Sequence, residues 1–232
     1  MDEETRRIIE CAKCPGPVCN SAAFMKGPEN CPTQVEADVI EETKHWYEEP
    51  GVAEFARQAS IVEGEAYGPT PWAPDTMSTV TTRLEEIIKL AKKMGYKKLG
   101  VAFCIGLRNE AGILIPILEN NGFEVVSVCC KTGGVPKEDI GIKEEEKIRS
   151  GRYETMCNPI AQAEILNREG TEFNILVGLC VGHDALFLKY ARALTTVFIV
   201  KDRVLAHNPA AALYLSSTVY YRRLLAKDNS AD

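Results

Sequence analysis

A chain of 232 residues, 45% hydrophobic and 26% charged, reads as an ordinary globular protein able to bury one full-sized core and carry a small appended unit. A formal net charge of −6 argues against a nucleic-acid or anionic-membrane partner, because such binding draws on an excess of Lys and Arg. No apolar run approaches the roughly 18 residues that cross a bilayer, and the opening MDEETRRIIE has no signal-peptide region, so a cytoplasmic, reducing location is expected.

In chain order, the first feature is a crowd of cysteines. Cys11-Ala-Lys-Cys14-Pro-Gly-Pro-Val-Cys19 is followed by Cys31-Pro32, so four of the nine cysteines fall within the first 31 residues. Two thiolates on one turn, a third after a stretch too stiff to be helical and a fourth on a second loop form a four-sulfur set for one zinc ion or one iron–sulfur cluster. The spacing C-x2-C-x4-C-x11-C is not the paired-knuckle pattern of zinc ribbons, and Pro15 and Pro32 each follow a cysteine, as a proline does in bacterial ferredoxins. Iron–sulfur is therefore the preferred cofactor and zinc the alternative.

Residues 32–48 and 52–65 predict two helices, the first opening at a proline suited to a helix start. Tyr67-Gly-Pro-Thr-Pro-Trp-Ala-Pro74, with three prolines in six residues, reads as a stiff connector and places the boundary between a helical cysteine-rich region, 1–70, and a main domain, 71–232. Residues 78–94 predict a long amphipathic helix. Short apolar runs at 99–104, 124–129, 173–179 and 196–201 read as parallel strands covered on both faces, with crossover helices at 109–120, 161–168 and 185–193. The expected fold class is α/β, a doubly wound, mainly parallel sheet of about four or five strands. The segment 144–147 reads as exposed helix, and Trp46, Tyr47 and Trp72 as glue between the amino-terminal helices and the sheet.

That arrangement puts the remaining cysteines at strand ends. Cys104 ends the first strand, Cys129-Cys130 the second and Cys180 the third, and Cys157 precedes the second crossover helix. The carboxyl edge of an open α/β sheet is where backbone amides and helix amino-termini converge, so Cys104, Cys129 or Cys130, Cys157 and Cys180 are candidate ligands of a second cluster. Buried core cysteines would account for the same pattern. Gly178-Leu-Cys180-Val-Gly182 also fits the cysteine form of a nucleophile elbow, which supports a rival reading as a hydrolase or amidotransferase. In that scheme His183 or, better, His207 takes the thiol proton, with Asp202 or Asn208 as orienter. The loop Lys131-Thr-Gly133-Gly134 and Arg108 are weaker candidates for holding an anionic group.

The amino-terminal cysteine set, Cys104, Cys129-Cys130, and above all Gly178-Leu-Cys-Val-Gly-His-Asp-Ala-Leu-Phe187 with Lys201-Asp-Arg-Val-Leu-Ala-His-Asn-Pro209, resemble the cysteine-rich proteins of domain-of-unknown-function family 1847. The resemblance spans nearly the whole chain. It implies bound metal and an anaerobic setting, and it supplies no established reaction and no catalytic residues. The expected function is redox or sulfur-transfer chemistry at cysteines on the carboxyl edge, catalysed with Cys180, His183 and His207, on a redox partner or a small anionic substrate. A non-catalytic zinc protein and a Cys180 hydrolase are the alternatives.

Overall fold

The computed structural model describes residues 8–16, 18–21 and 27–226. The chain divides into two compact units, residues 1–64 and 65–232. Pro17 and residues 1–7, on which parts of the cysteine-set and leader expectations fall, lie outside the described residues.

In the first unit, short turns surround the cysteines, and helices follow: α1 (Pro32–Val35), α2 (Ala37–Thr43), a 3-10 turn at Lys44–Glu48 and α3 (Pro50–Glu65). The single helix expected over 32–48 is broken between α1 and α2 by Glu36, whose backbone leaves the helical region at φ −122° and ψ 32°. Trp46, Tyr47 and Trp72 are 56%, 61% and 84% exposed.

The second unit opens with a hairpin. The stretch read as a connector is strand β1 (Tyr67–Thr70) paired antiparallel with β2 (Ala73–Thr79). In a two-stranded sheet every strand is an edge, so Pro69 and Pro74 cost few ladder hydrogen bonds. The helix expected from residue 78 starts later, as α4 (Arg83–Lys93), because Thr82 caps it: the hydroxyl accepts the Glu85 amide, and the Glu85 carboxylate takes the Thr82 amide at 2.6 Å.

Four parallel strands form the main sheet: β3 (Lys98–Phe103), β4 (Glu124–Cys129), β5 (Phe173–Val177) and β6 (Thr195–Ile199), in the order β4-β3-β5-β6. Between them run α5 (Arg108–Asn120), α6 (Pro159–Arg168) and α7 (His183–Tyr190), and α8 (Ala210–Tyr214) follows β6. Right-handed crossovers put α5 on one face and α6 and α7, which pack together, on the other. The α/β fold and the parallel four-stranded sheet expected from the sequence are present. β3 and β5 are central, and Leu99, Val101, Ala102, Ile175, Leu176 and Val177 are almost wholly buried. One polar side chain shares that core. Asn174 accepts the Thr171 hydroxyl at 2.8 Å, and Gly100 makes room for it, since a Cβ there would stand 2.1 Å from Asn174 Oδ1.

The strand order reverses between β3 and β5, so their carboxyl ends form the switch-point crevice where ligands of open α/β sheets bind. The open edge of β6 meets Arg83, whose Nε donates to Val197 O at 2.9 Å and whose Nη2 reaches Thr196 Oγ1 at 3.1 Å. Among the described residues, no helix is long and apolar enough to cross a membrane.

Candidate functional site

Each unit carries its own set of cysteines. In the first unit, 3-10 turns at Cys11–Lys13 and Val18–Asn20 present Cys11 and Cys19, and Cys31 caps α1 just before Pro32. Asn30 Nδ2 donates to Ile8 O at 3.0 Å, which ties the Cys31 loop to the segment before Cys11. Gly27 passes so near that a Cβ on it would lie 3.0 Å from Cys31 Sγ. Cys11, Cys14, Cys19 and Cys31 all line one cavity of about 210 Å³. Soft thiolate donors of this kind suit iron–sulfur or zinc. Yet among the described residues no group of three or more His, Cys, Asp or Glu side chains is arranged to hold a metal ion.

In the second unit, the switch point gathers four thiols from four segments. The Cys104 amide donates to Val177 O at the end of β3, which sets its thiol at the crevice. Cys130 is fixed at both main-chain groups: its amide donates to Phe103 O at 2.8 Å and its carbonyl accepts from Asn158, the residue that caps α6. Gln162 on α6 is wholly buried and donates from Nε2 to Phe103 O and Val128 O, clamping the ends of β3 and β4 from below. Cys157 precedes that cap. Cys180 sits in the turn between β5 and α7, where Gly178 and Gly182 have φ of +65° and +83°. These angles favour glycine, and the space beside Gly178 excludes a side chain, since a Cβ would lie 2.7 Å from Leu107 Cδ2. The strand-to-helix turn expected around Cys180 is present, with the positive φ on its flanking glycines and not on Cys180.

The thiols form a hydrogen-bonded row. Cys130 lies in the middle, bonded to Cys104 on one side and Cys157 on the other, and its sulfur also accepts the Ile105 amide at 3.3 Å. The Cys130 hydrogen bond is the main reason that both outer thiols are held down at about 5. Lys201 adds its charge beside Cys104; Lys131, with Nζ 3.4 Å from the sulfur, and His183 do so beside Cys157. Cys130 is driven upward by its two neighbours and by burial, so it keeps its proton while they lose theirs. Cys180 stands beside this row, with Arg203 Nη2 2.9 Å from its sulfur. Burial, and then the negative charge of Cys104, push its thiol up despite that arginine.

The residues singled out in the sequence therefore divide. Cys104, Cys130, Cys157 and Cys180 come together, and the neighbouring Cys129 has no part in the thiol row. That follows from the alternation of a strand, which turns consecutive side chains to opposite faces. His183 stands near Cys157, and its Nδ1 is buried without a hydrogen-bond partner. His207, at φ +63°, accepts the Asp202 amide on Nδ1 at 3.2 Å. The Asp202 carboxylate, expected as orienter, caps the Val204 and Leu205 amides instead. Arg108 is exposed at the start of α5. The Gly134 amide donates to Lys131 O, so it is not available as an anion cradle.

Sequence reasoning did not place a cation beside each thiol: Lys201 lies beside Cys104, Lys131 beside Cys157 and Arg203 beside Cys180. It also missed the excursion at 130–158 between β4 and α6. The segment 144–147 expected as helix lies on it as a single 3-10 turn, Glu144–Glu146. The signal was present in the distance from β4 to α6, far longer than the two to six residues usual for such a connection.

Residues 31–198 match the model of the family described as "Protein of unknown function (DUF1847)". A protein of Methanocaldococcus jannaschii named "Uncharacterized protein MJ0455" is 45% identical over 217 residues, which cover 94% of this chain and 98% of that one.

Proposed function

Because the chain belongs to the DUF1847 family, whose description names no activity, we propose a function from its own residues: an iron–sulfur protein carrying out thiol redox or sulfur-transfer chemistry at the carboxyl edge of its sheet. The observation that carries this reading is the meeting of Cys104, Cys130 and Cys157 from three segments at the carboxyl edge, with Lys201 beside Cys104 and Lys131 Nζ 3.4 Å from Cys157 Sγ. Such a row holds attacking thiolates and a resolving thiol in contact.

The substrate class that fits is a disulfide or persulfide. Cys157 thiolate attacks one sulfur of the substrate, the S–S bond breaks, and the other sulfur leaves as a thiolate. Cys157 is then neutral. The charge and hydrogen bond that held up Cys130 on that side are gone, so Cys130 passes its proton to Cys104 and attacks the Cys157 sulfur. A Cys130–Cys157 disulfide forms, the second substrate sulfur leaves, and two electrons have moved from protein to substrate. Lys131 stabilises the Cys157 thiolate that attacks, and Lys201 the Cys104 thiolate until it takes the Cys130 proton. His183, its buried Nδ1 unpartnered, is placed to give a proton to a departing sulfur.

Cys11, Cys14, Cys19 and Cys31 are the residues that would hold the cluster, and a cluster bound there would supply single-electron exchange. A cysteine hydrolase using Cys180 has the glycine-flanked turn in its favour, but burial raises that thiol and His207 is bound to Asp202.

The test is iron, zinc and acid-labile sulfide content of protein purified without oxygen, for the native chain and for Cys11→Ser, Cys31→Ser and Cys104→Ser. Iron with matching sulfide, lost in the first two variants and kept in the third, supports the reading. Zinc without sulfide replaces the cluster by a structural ion, and absence of both metals removes this part of the proposal.

A further inference from the structure

The excursion at 130–158 is closed at its neck. Asn158 donates to Cys130 O, Met156 to Val135 O at 2.8 Å and the Lys137 amide to Glu154 O at 3.0 Å, with Pro136 and Thr155 bridged as a short antiparallel pair. A long connection pinned in this way is a built element, and such loops commonly carry function. Against it lies a cavity of about 530 Å³, within the range of small-molecule sites.

The wall of that cavity opposes the charge of the whole chain. It carries Lys131, Lys137, Arg149 and Arg152 against one carboxylate, Glu154, a formal excess of three positive charges in a protein of net −6. Glu154 is already engaged: it pairs with Lys137, accepts the Arg149 amide at 2.7 Å and the Ile148 amide at 3.3 Å, and its carboxyl is held below the usual range chiefly by Lys137. That pairing anchors the loop. Arg149 and Arg152 are exposed and, among the described residues, neither guanidinium has a carboxylate partner. Lys131 faces two ways, lining the cavity while its ammonium donates to Thr155 O at 2.6 Å and reaches Cys157 Sγ at 3.4 Å. Ile105, also on the wall, gives its amide to Cys130.

We propose that this cavity binds a small molecule carrying at least two anionic oxygen groups, phosphate or carboxylate, gripped by Arg149 and Arg152 and presented along Lys131 to Cys157. Two unpaired guanidiniums on one wall match such a ligand, because each forks to two oxygens of a phosphate or carboxylate. Focused positive charge in an otherwise acidic protein raises the local concentration of such a ligand. The inference rests on the thiol reading only for what happens to the ligand afterwards; binding does not depend on it.

The experiment is calorimetric titration of the full chain with tripolyphosphate and, separately, citrate, at low and at physiological salt. The proteins are the native chain, the Arg149→Gln/Arg152→Gln double variant and Arg108→Gln. Saturable binding of either probe that weakens with salt, falls at least about tenfold in the double variant and is unchanged in Arg108→Gln is the expected result, and the stronger probe identifies phosphate or carboxylate as the preferred group. Both arginines are exposed, so unchanged thermal unfolding is expected of the double variant. No saturable binding of either probe, or equal binding by the native and double-variant proteins, overturns the proposal. The pH midpoint of Cys157 alkylation, measured on the same samples without probe, separates the two ideas: an ordinary midpoint sinks the thiol reading and leaves the anion site standing or falling on the titration.

Discussion

Cys130→Ala removes the proton donor that two thiolates share. Cys104 and Cys157 are each held at about 5, and in both the hydrogen bond from Cys130 is the largest cause. With a midpoint near 5 a thiol is roughly 99% ionised at pH 7, and with an unperturbed value near 8.5 it is roughly 3% ionised. The alkylation rate at one pH is a poor readout, because a thiolate of higher pKa is intrinsically more nucleophilic and offsets much of the loss. The midpoint of the full pH profile, followed peptide by peptide by mass spectrometry, is the proper measure. Lys201 remains beside Cys104, and Lys131 and His183 beside Cys157, so both midpoints should climb by about 2 or more rather than return fully to the ordinary range. Cys130→Ser, which keeps a hydroxyl donor, should shift them less. If both midpoints stay near 5 in the alanine variant, the shared-proton account is wrong and the lysines alone depress these thiols.

Lys201→Met should raise the Cys104 midpoint by about 1 and leave Cys157, whose cation is Lys131, in place; the same mapped alkylation measures it. Gly178→Ala meets both a positive φ and the buried Leu107, and should destabilise the second unit by about 2–4 kcal/mol, read as a lower urea midpoint. The native row holds one proton on three sulfurs between the folded midpoints near 5 and the ordinary value of 9.0, whereas the unfolded chain holds nearly three. Stability should therefore rise with pH across that window and fall above it, where Cys130 keeps a proton that the unfolded chain has lost. In Cys104→Ala/Cys157→Ala the urea midpoint should be flatter over the same range, and an unchanged slope would contradict the assignment.

The central strands were legible because β3 and β5 are covered on both faces and so read as nearly continuous apolar runs ending at Cys104 and just before Cys180. Knowing where strands end was enough to bring Cys104, Cys130 and Cys180 to one edge, and the start of α6 added Cys157. The charges around them were not legible, since Lys131, Lys201 and Arg203 sit on loops whose course no periodicity fixes. The hairpin was hidden because prolines argue against a strand unless both partners are edges. Thr82 with Glu85 spelled a capping box that would have moved the start of α4 from residue 78. The positive φ of His207, which turns its ring onto the Asp202 amide, has no signal in a position after a strand.

The guanidinium of Arg83 on Val197 and Thr196 bears on behaviour at high concentration. A bare outer strand is a template on which another chain's strand can add, and this one is occupied by a side chain that brings a charge with its hydrogen bonds. An incoming strand would have to displace those bonds and approach the charge. Arg83→Ala leaves Val197 O open on a short, β-branched edge, so its first consequence should be self-association, seen as concentration-dependent light scattering before any loss of fold.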